Sequence, residues 1–173
     1  MLELRRPNLK DKETILDMMR EFEAADSSHD GGFWSEQDFD YQAWLDYNLD
    51  AEIGIGLADN AVPAIQLVSF DEKGRAIGFV HLRLRLNDFL LEQGGHIGYS
   101  IRPCERGKGY GKEQLTKALQ ICQLKNMKQL LLTCKPDNLA SRALIMGAGG
   151  QLEDIRQGLE RYWIDFGGGD EQS

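Results

Sequence analysis

Apolar residues recur along this chain in two rhythms, and the switches between them mark out its elements. Residues 2–6 alternate apolar with polar and close on Pro7, which predicts a short first strand. Asn8 or Asp11 can cap the helix that follows. Its apolar positions Ile15, Met18, Met19 and Phe22 keep i, i+3, i+4, i+7 spacing, so they share a buried face, and the helix should end near Ala25. A polar, glycine-bearing loop from Asp26 to Trp34 leads to Ser35 and Asp38, a capping-box-like start for a second helix over roughly 36–49. Phe39, Ala43 and Tyr47 fall on one face of that helix, with Trp44 and Leu45 beside them. Two strands, 62–70 and 76–86, are joined by a hairpin turn, Asp71-Glu72-Lys73-Gly74-Arg75. In the second strand Val80, Leu82, Leu84 and Leu86 point one way and His81, Arg83 and Arg85 the other. That polar stripe is either a water-facing sheet surface or one wall of a cleft.

The second half of the chain carries the densest signal. Residues 87–95 read as a loop with a small apolar core of Phe89, Leu90 and Leu91. A strand over 96–101 follows, with His96, Gly98 and Ser100 on one face and Ile97, Tyr99 and Ile101 on the other. It runs through Pro103 into a loop with glycine at alternate positions, Gly107, Gly109 and Gly111, and then without a spacer into a helix over roughly 109–126 that buries Leu115, Ala118, Leu119 and Cys122. Glycines at this density let backbone approach a ligand where a Cβ would clash. A helix starting there aims its free N–H groups and positive dipole end into the loop, which suits a phosphate. Lys108 and Lys112 add charge. The continuous apolar run at 129–134 predicts an inner strand buried on both faces. Asn138 can cap a short helix to about Met146, packing on Ala140, Ala143 and Leu144 and ended by Gly147, Gly149 and Gly150. A final hairpin over 152–156 and 161–166 turns at Gln157-Gly158. A single domain over 1–166 and a flexible tail over 167–173 complete the expected organisation.

The glycine loop is not a Walker A, because Arg106 stands five before Gly111 and Glu113 occupies the place of the magnesium-binding hydroxyl. Nor is it a dinucleotide fingerprint, since the spacing is Gly-x-Gly-x-Gly. The pattern Arg106-x-x-Gly109-x-Gly111, after a strand ending Ile-x-Pro and before a helix, resembles the pyrophosphate loop of the GNAT acyl-CoA N-acetyltransferases. The run Gly-Gly-His-Ile-Gly-Tyr-Ser-Ile-Arg-Pro at 94–103 is similar to a bacterial branch of predicted members.

The resemblance implies a mixed α/β (α+β) GNAT fold: a central, mostly antiparallel twisted sheet with a splayed parallel strand pair and about four helices. The pantetheine arm of acetyl-CoA would lie between strands 96–101 and 129–134. The Ile101 main-chain N–H would polarise the thioester carbonyl. Arg106, Gly107, Lys108, Gly109, Tyr110 and Gly111 would wrap the pyrophosphate, with Lys112 adding charge. Asn138 would touch the pantetheine arm, and Ser141 lies one turn along the same helix. Many family members carry a tyrosine seven residues after that asparagine to protonate the leaving thiolate; here the position is Ile145. Tyr99, Tyr110 or a water could serve instead. His96 is the leading candidate for the base, against a purely structural role, with Glu92 a weaker alternative. The implied reaction is direct attack of a primary amine on acetyl-CoA in a ternary complex. A covalent route through Cys104 or Cys134 is less favoured, since neither has a histidine neighbour in sequence.

Composition bounds the alternatives. A formal net charge of -8 argues against general nucleic-acid binding. Acids and aromatics between Glu21 and Asp50 form either an amine-binding wall or a solvated helix pair, and they lean the acceptor toward a cationic small molecule. Cys104, Cys122 and Cys134 are odd in number and widely spaced, which reads as reduced thiols in a cytoplasmic protein. Scattered histidines predict no metal. The Met-Leu-Glu-Leu-Arg-Arg-Pro start has no signal-peptide pattern, and no window approaches the ~20 apolar residues of a membrane span. Exposed edges at the last hairpin would suit a homodimer. A non-catalytic acyl-CoA-binding module and a nucleotide-binding module are the two rival readings.

Overall fold

The computed structural model describes residues 1–32, 34 and 39–167. Chain order is β1 (Glu3–Arg5), α1 (Lys12–Ala24), α2 (Tyr41–Glu52), β2 (Ala64–Phe70), β3 (Ala76–Arg83), α3 (Asp88–Glu92), β4 (Ile97–Ile101), α4 (Tyr110–Leu124), β5 (Gln129–Cys134), α5 (Leu139–Gly147), β6 (Gln151–Arg156) and β7 (Leu159–Asp165). Two antiparallel sheets result, one in the order β1-β2-β3-β4 and one in the order β5-β7-β6. This is the mixed α/β arrangement expected, with one helix more than expected. The extra helix is α3, where Asn87 accepts the Leu90 N–H and so caps a turn inside the apolar loop.

The alternation of the strands explains the layering. Leu67 and Val80 belong to a core shared with Leu115, Ala118 and Cys122 of α4 and Ile145 of α5. Val68 and Phe79, one residue away on the same strands, belong to a second core with Ile15, Met18, Met19 and Phe22 of α1 and Tyr41, Trp44 and Leu45 of α2. Helices therefore cover both faces, and β2 is buried along its whole length.

Two helix faces differ from the expected ones. The Ser35–Asp38 start of the second helix lies outside the described residues, and α2 itself begins at Tyr41, where Asp40 accepts the Ala43 N–H. This sets Tyr41, Trp44 and Leu45 inward and leaves Ala43 and Tyr47 exposed. In α5 the buried residue is Ile145, while Ala140 and Ala143 are exposed. The inward side of a nine-residue helix is set by the β5 surface under it, and alanine at two positions gives no strong preference. The last hairpin turns at Gln157 (φ 53°) and Gly158 (φ 76°), the two left-handed positions of a type I′ turn. The tail beyond Gly167 lies outside the described residues.

Candidate functional site

The two sheets meet at one point and then part. At the start of β4 the His96 N–H donates to the Leu131 carbonyl of β5 at 2.7 Å. The Leu131 N–H returns to His96 Nδ1 at 2.9 Å. Beyond this double fastening β4 pairs only with β3, and no strand pairing joins it to β5.

The register of β4 on β3 fixes what faces the opening. Arg83 N–H donates to His96 O and Arg102 N–H to Ile77 O. Main-chain groups alternate in direction along an antiparallel strand. With Leu82↔Ile97, Val80↔Tyr99 and Gly78↔Ile101 as the intervening pairs, the amides of Ile97, Tyr99 and Ile101 turn away from β3 and into the gap. The Ile101 carbonyl, facing the same way, accepts Arg106 Nε at 2.9 Å.

The glycine loop lies at the open end. Gly107 and Gly109 have φ of +78° and +88°, and a Cβ on either would meet nothing within 4 Å. Both therefore need glycine for backbone conformation, and both leave empty space beside the backbone. Gly109 is the N-cap of α4, with no side chain closing the helix end. Tyr110, Gly111 and Lys112 form its first turn, whose N–H groups lack helical partners. Gly111 is needed for a different reason, since a Cβ there would come within 3.1 Å of Leu144 of α5. Lys108 is exposed and bonds Glu105 Oε2 at 3.0 Å. An open groove of about 500 Å³ runs along the outer side of α4 past Gly109, Lys112, Glu113 and Lys117.

Across the gap, α5 supplies the opposing polar atoms. Asn138 Oδ1 caps α5 by accepting the Ser141 N–H at 3.1 Å. Ser141 Oγ lies 2.8 Å from the Tyr99 hydroxyl. Burial, opposed by the Ser141 hydroxyl and reinforced by Cys134 and Asp30, pushes the Tyr99 phenol up to about 12. Ile145, where the family resemblance led to the expectation of a tyrosine, points into the core with 0% exposure, and the hydroxyl that reaches α5 comes from β4, at Ser141, one turn earlier.

His96 is wired differently from a base. Its Nδ1 already accepts a main-chain N–H. Burial first, then the Arg83 charge, lowers its pKa to about 4. His81 is lowered to about 3 by the same two causes in the same order. Glu92 is held by Arg156 Nη1 at 3.0 Å. Cys134 lies 3.8 Å from Glu160 Oε1, and burial raises its thiol. Cys104 faces Glu21 Oε1 at 3.1 Å and Arg75 Nη2 at 3.4 Å.

Of the polar stripe expected along this strand, His81 and Arg83 are partly covered and Arg85, beyond the end of β3, is exposed. The loop ahead of α2 folds over the covered part: Gln66 Nε2 donates to Gly31 O at 2.7 Å, and a Cβ at Gly98 would press on Gly31 N at 3.1 Å and on Arg83 Nη2 at 3.4 Å. Gly31 and Gly98 thus let the loop and the strand touch. Sequence periodicity has no signal for this contact between residues far apart in the chain. Two acids of α1 reach a buried arginine. Asp17 and Glu21 both bind the 2%-exposed Arg102, at 2.7 Å each, and Glu23 accepts Trp34 Nε1 at 2.9 Å. Of the acids expected to form an amine-binding wall, Glu21 is partly covered against Arg102, while Glu23, Asp26, Asp30, Asp40, Asp46 and Asp50 are exposed. Among the described residues no cluster of three or more His, Cys, Asp or Glu side chains is placed to hold a metal. No helix among them is long and apolar enough to cross a membrane.

A family model described as an acetyltransferase (GNAT) domain matches residues 1–151. No curated protein matches the chain in sequence. Among solved structures, the ribosomal L7/L12 alpha-N-protein acetyltransferase RimL superposes with a TM-score of 0.67 at 16% identity, over 95% of this chain and 90% of that one. The protein yncA of Salmonella typhimurium, solved with acetyl-CoA, gives a TM-score of 0.64 at 16% identity over 99% and 98%. Mutant forms of the spermidine/spermine N-acetyltransferase SpeG of Vibrio cholerae give 0.61 at 18% identity over 95% of each chain. At these identities the likeness is one of fold.

Proposed function

The chain belongs to the GNAT acetyltransferase family, and from that premise we propose that it moves the acetyl group of acetyl-CoA to a primary amine by direct attack in a ternary complex. The observation that carries this reading is the conjunction at β4. A strand gap lined by the unpaired amides of Tyr99 and Ile101 opens onto a helix N-terminus whose glycines leave room for a ligand.

In this reading the amides of residues 107–111 and the first turn of α4 hold the pyrophosphate, and Lys112 adds charge beside them. The pantetheine arm completes the main-chain hydrogen bonding of β4 where β5 has parted from it. The Ile101 N–H donates to the thioester carbonyl oxygen, which gains negative charge as the amine attacks the acetyl carbon. Arg106, bonded to the Ile101 carbonyl, holds the next peptide, between Ile101 and Arg102. Asn138 and Ser141 flank the arm from α5.

As the tetrahedral intermediate collapses, the C–S bond breaks and its electron pair goes to sulfur. In this reading Tyr99 gives that thiolate its proton, and the contact of its hydroxyl with Ser141 supports the role. A thiol with pKa near ~8.5 needs little acid help, so the contribution is modest. His96 fastens the two sheets, and the ammonium proton of the acceptor leaves through water.

Calorimetric titration with acetyl-CoA, followed by thiol release against a panel of amines, tests the reading. Micromolar acetyl-CoA binding with amine-dependent release of CoA is expected. Acetyl-CoA binding without turnover on any amine would favour a non-catalytic acyl-CoA-binding module. Binding of ATP or NAD in place of acetyl-CoA would overturn the cofactor assignment.

A further inference from the structure

The helices that flank the cofactor loop lie on one face of β4, and the proposed function leaves the other face to the acceptor. On that other face the β4 residue is Gly98, whose missing side chain is replaced by the Arg83 guanidinium reaching over from β3. Arg83 Nη1 is spent on two neutral acceptors, Gly94 O at 3.0 Å and Gly95 O at 3.1 Å. Among the described residues no carboxylate lies within ion-pair distance of it, whereas Arg102, the other large cation buried against this face, has two. A buried cation with no paired anion is costly, and a ligand anion would relieve the cost. Asp30 is exposed and directly precedes Gly31, whose N lies 3.1 Å from where a Cβ at Gly98 would stand, and its charge acts on both Arg83 and Tyr99.

We propose that the acceptor is a zwitterion, an α-amino acid or near homologue, whose carboxylate is held by Arg83 and whose ammonium is drawn in by Asp30 before it loses its proton and attacks. The inference rests on the acetyltransferase reading and names its substrate class. Spacing supports a short substrate. The guanidinium sits over residue 98, three residues from Ile101, or ~10 Å at ~3.3 Å per residue. Of that, ~3 Å separates the Ile101 amide from the carbonyl it polarises and ~3 Å separates amine from acyl carbon. A further ~3 Å is the guanidinium–carboxylate contact, so these contacts take up nearly the whole span and a long chain between amine and carboxylate does not fit.

Matched acceptors decide the matter with the unaltered protein. L-amino acids are compared with their α-carboxamides and their decarboxylated amines, with spermidine as a carboxylate-free polycation, by thiol release under saturating acetyl-CoA. At least one amino acid is expected to exceed its carboxamide by tenfold or more in kcat/KM. In Arg83→Gln that ratio should fall toward one, mainly through KM. Carboxamides or spermidine turned over as well as, or better than, every amino acid would overturn the proposal and leave the acetyltransferase reading intact. No thiol release with any amine, despite acetyl-CoA binding by calorimetry, would remove both. Because Arg83 also holds the Gly94–Gly95 carbonyls, the wild-type comparison stands even if the variant fails to fold.

Discussion

On the α4 side of β4 the site is made of backbone. Left-handed glycines, a helix N-terminus and strand amides face open space, with Arg106, Lys108 and Lys112 among the charges nearby. On the α1 side it is made of packed side chains: Arg83 laid across Gly98, Gly31 pressed on the strand, Gln66 pinning the loop, and Arg102 clasped by Asp17 and Glu21. A backbone site binds any ligand with the right phosphate geometry and needs few residue types. A side-chain site selects, because each buried charge must find its own complement. The proposed function puts the shared cofactor on the first side and the individual acceptor on the second.

The sharpest way to break that contrast is Gly109→Trp. A side chain at φ +88° fills the space kept for the ligand, and acetyl-CoA affinity should drop by more than about 100-fold in calorimetry. The backbone strain itself costs only ~1–2 kcal/mol, and no neighbour is within 4 Å to clash, so the melting curve should move little. Unchanged affinity would mean the loop does not hold phosphate.

Tyr99→Phe removes the hydroxyl bonded to Ser141. We expect kcat to fall about 10- to 100-fold, with acetyl-CoA affinity changed less than about threefold. Because the phenol is pushed up to about 12, it keeps its proton throughout pH 6–9, a window of about three decades. The loss should therefore be the same at both ends of the rate profile. An unaltered kcat would hand the thiolate to water.

His96→Ala tests the fastening between the two sheets. It leaves the Leu131 N–H without its acceptor, at a cost of about 1–3 kcal/mol in denaturant unfolding. The wild-type imidazole carries a pH signature as well. Its folded value, about 4, lies below the ordinary 6.5, so the unfolded chain takes up the proton first as the solution is acidified. The stabilisation from this neutral ring is complete above about 6.5 and is lost between 6.5 and 4, by at most about 3 kcal/mol. The variant should show a shallower decline over that window, with His81 supplying the remainder in the same direction. An activity loss with normal stability would instead make His96 part of the chemistry. The smallest effect is expected at Ser27, which receives Arg106 Nη2 at 2.8 Å on an exposed surface. Ser27→Ala should change kcat/KM by less than about threefold, equivalent to under ~1 kcal/mol.

Residues close in sequence carried the cofactor side. Three glycines at alternate positions, Asn138 as an N-cap and the apolar run of β5 state their conformations locally, and the structure places them as read. The inner face of α1 was legible for the same reason, since four apolar residues at helical spacing leave one orientation. Alanine-bearing α5 and mixed α2 had no such stripe, and their inner faces were set by the surfaces they cover.

What the sequence by itself determined, then, is the loop, the helix start behind it, the strand before it and the family they indicate, because these depend on φ, ψ and spacing within a few residues. Only the tertiary structure decided that His96 bonds β5, that Tyr99 meets Ser141, that Asp17 and Glu21 are engaged by Arg102, and that Arg83 lies over Gly98 with no carboxylate among the described residues in ion-pair distance. Each of these is a meeting of residues from 35 to 85 positions apart or from neighbouring strands. Charge and hydrogen bonding between such groups depend on distance and burial, and neither quantity exists until the sheets and helices have packed.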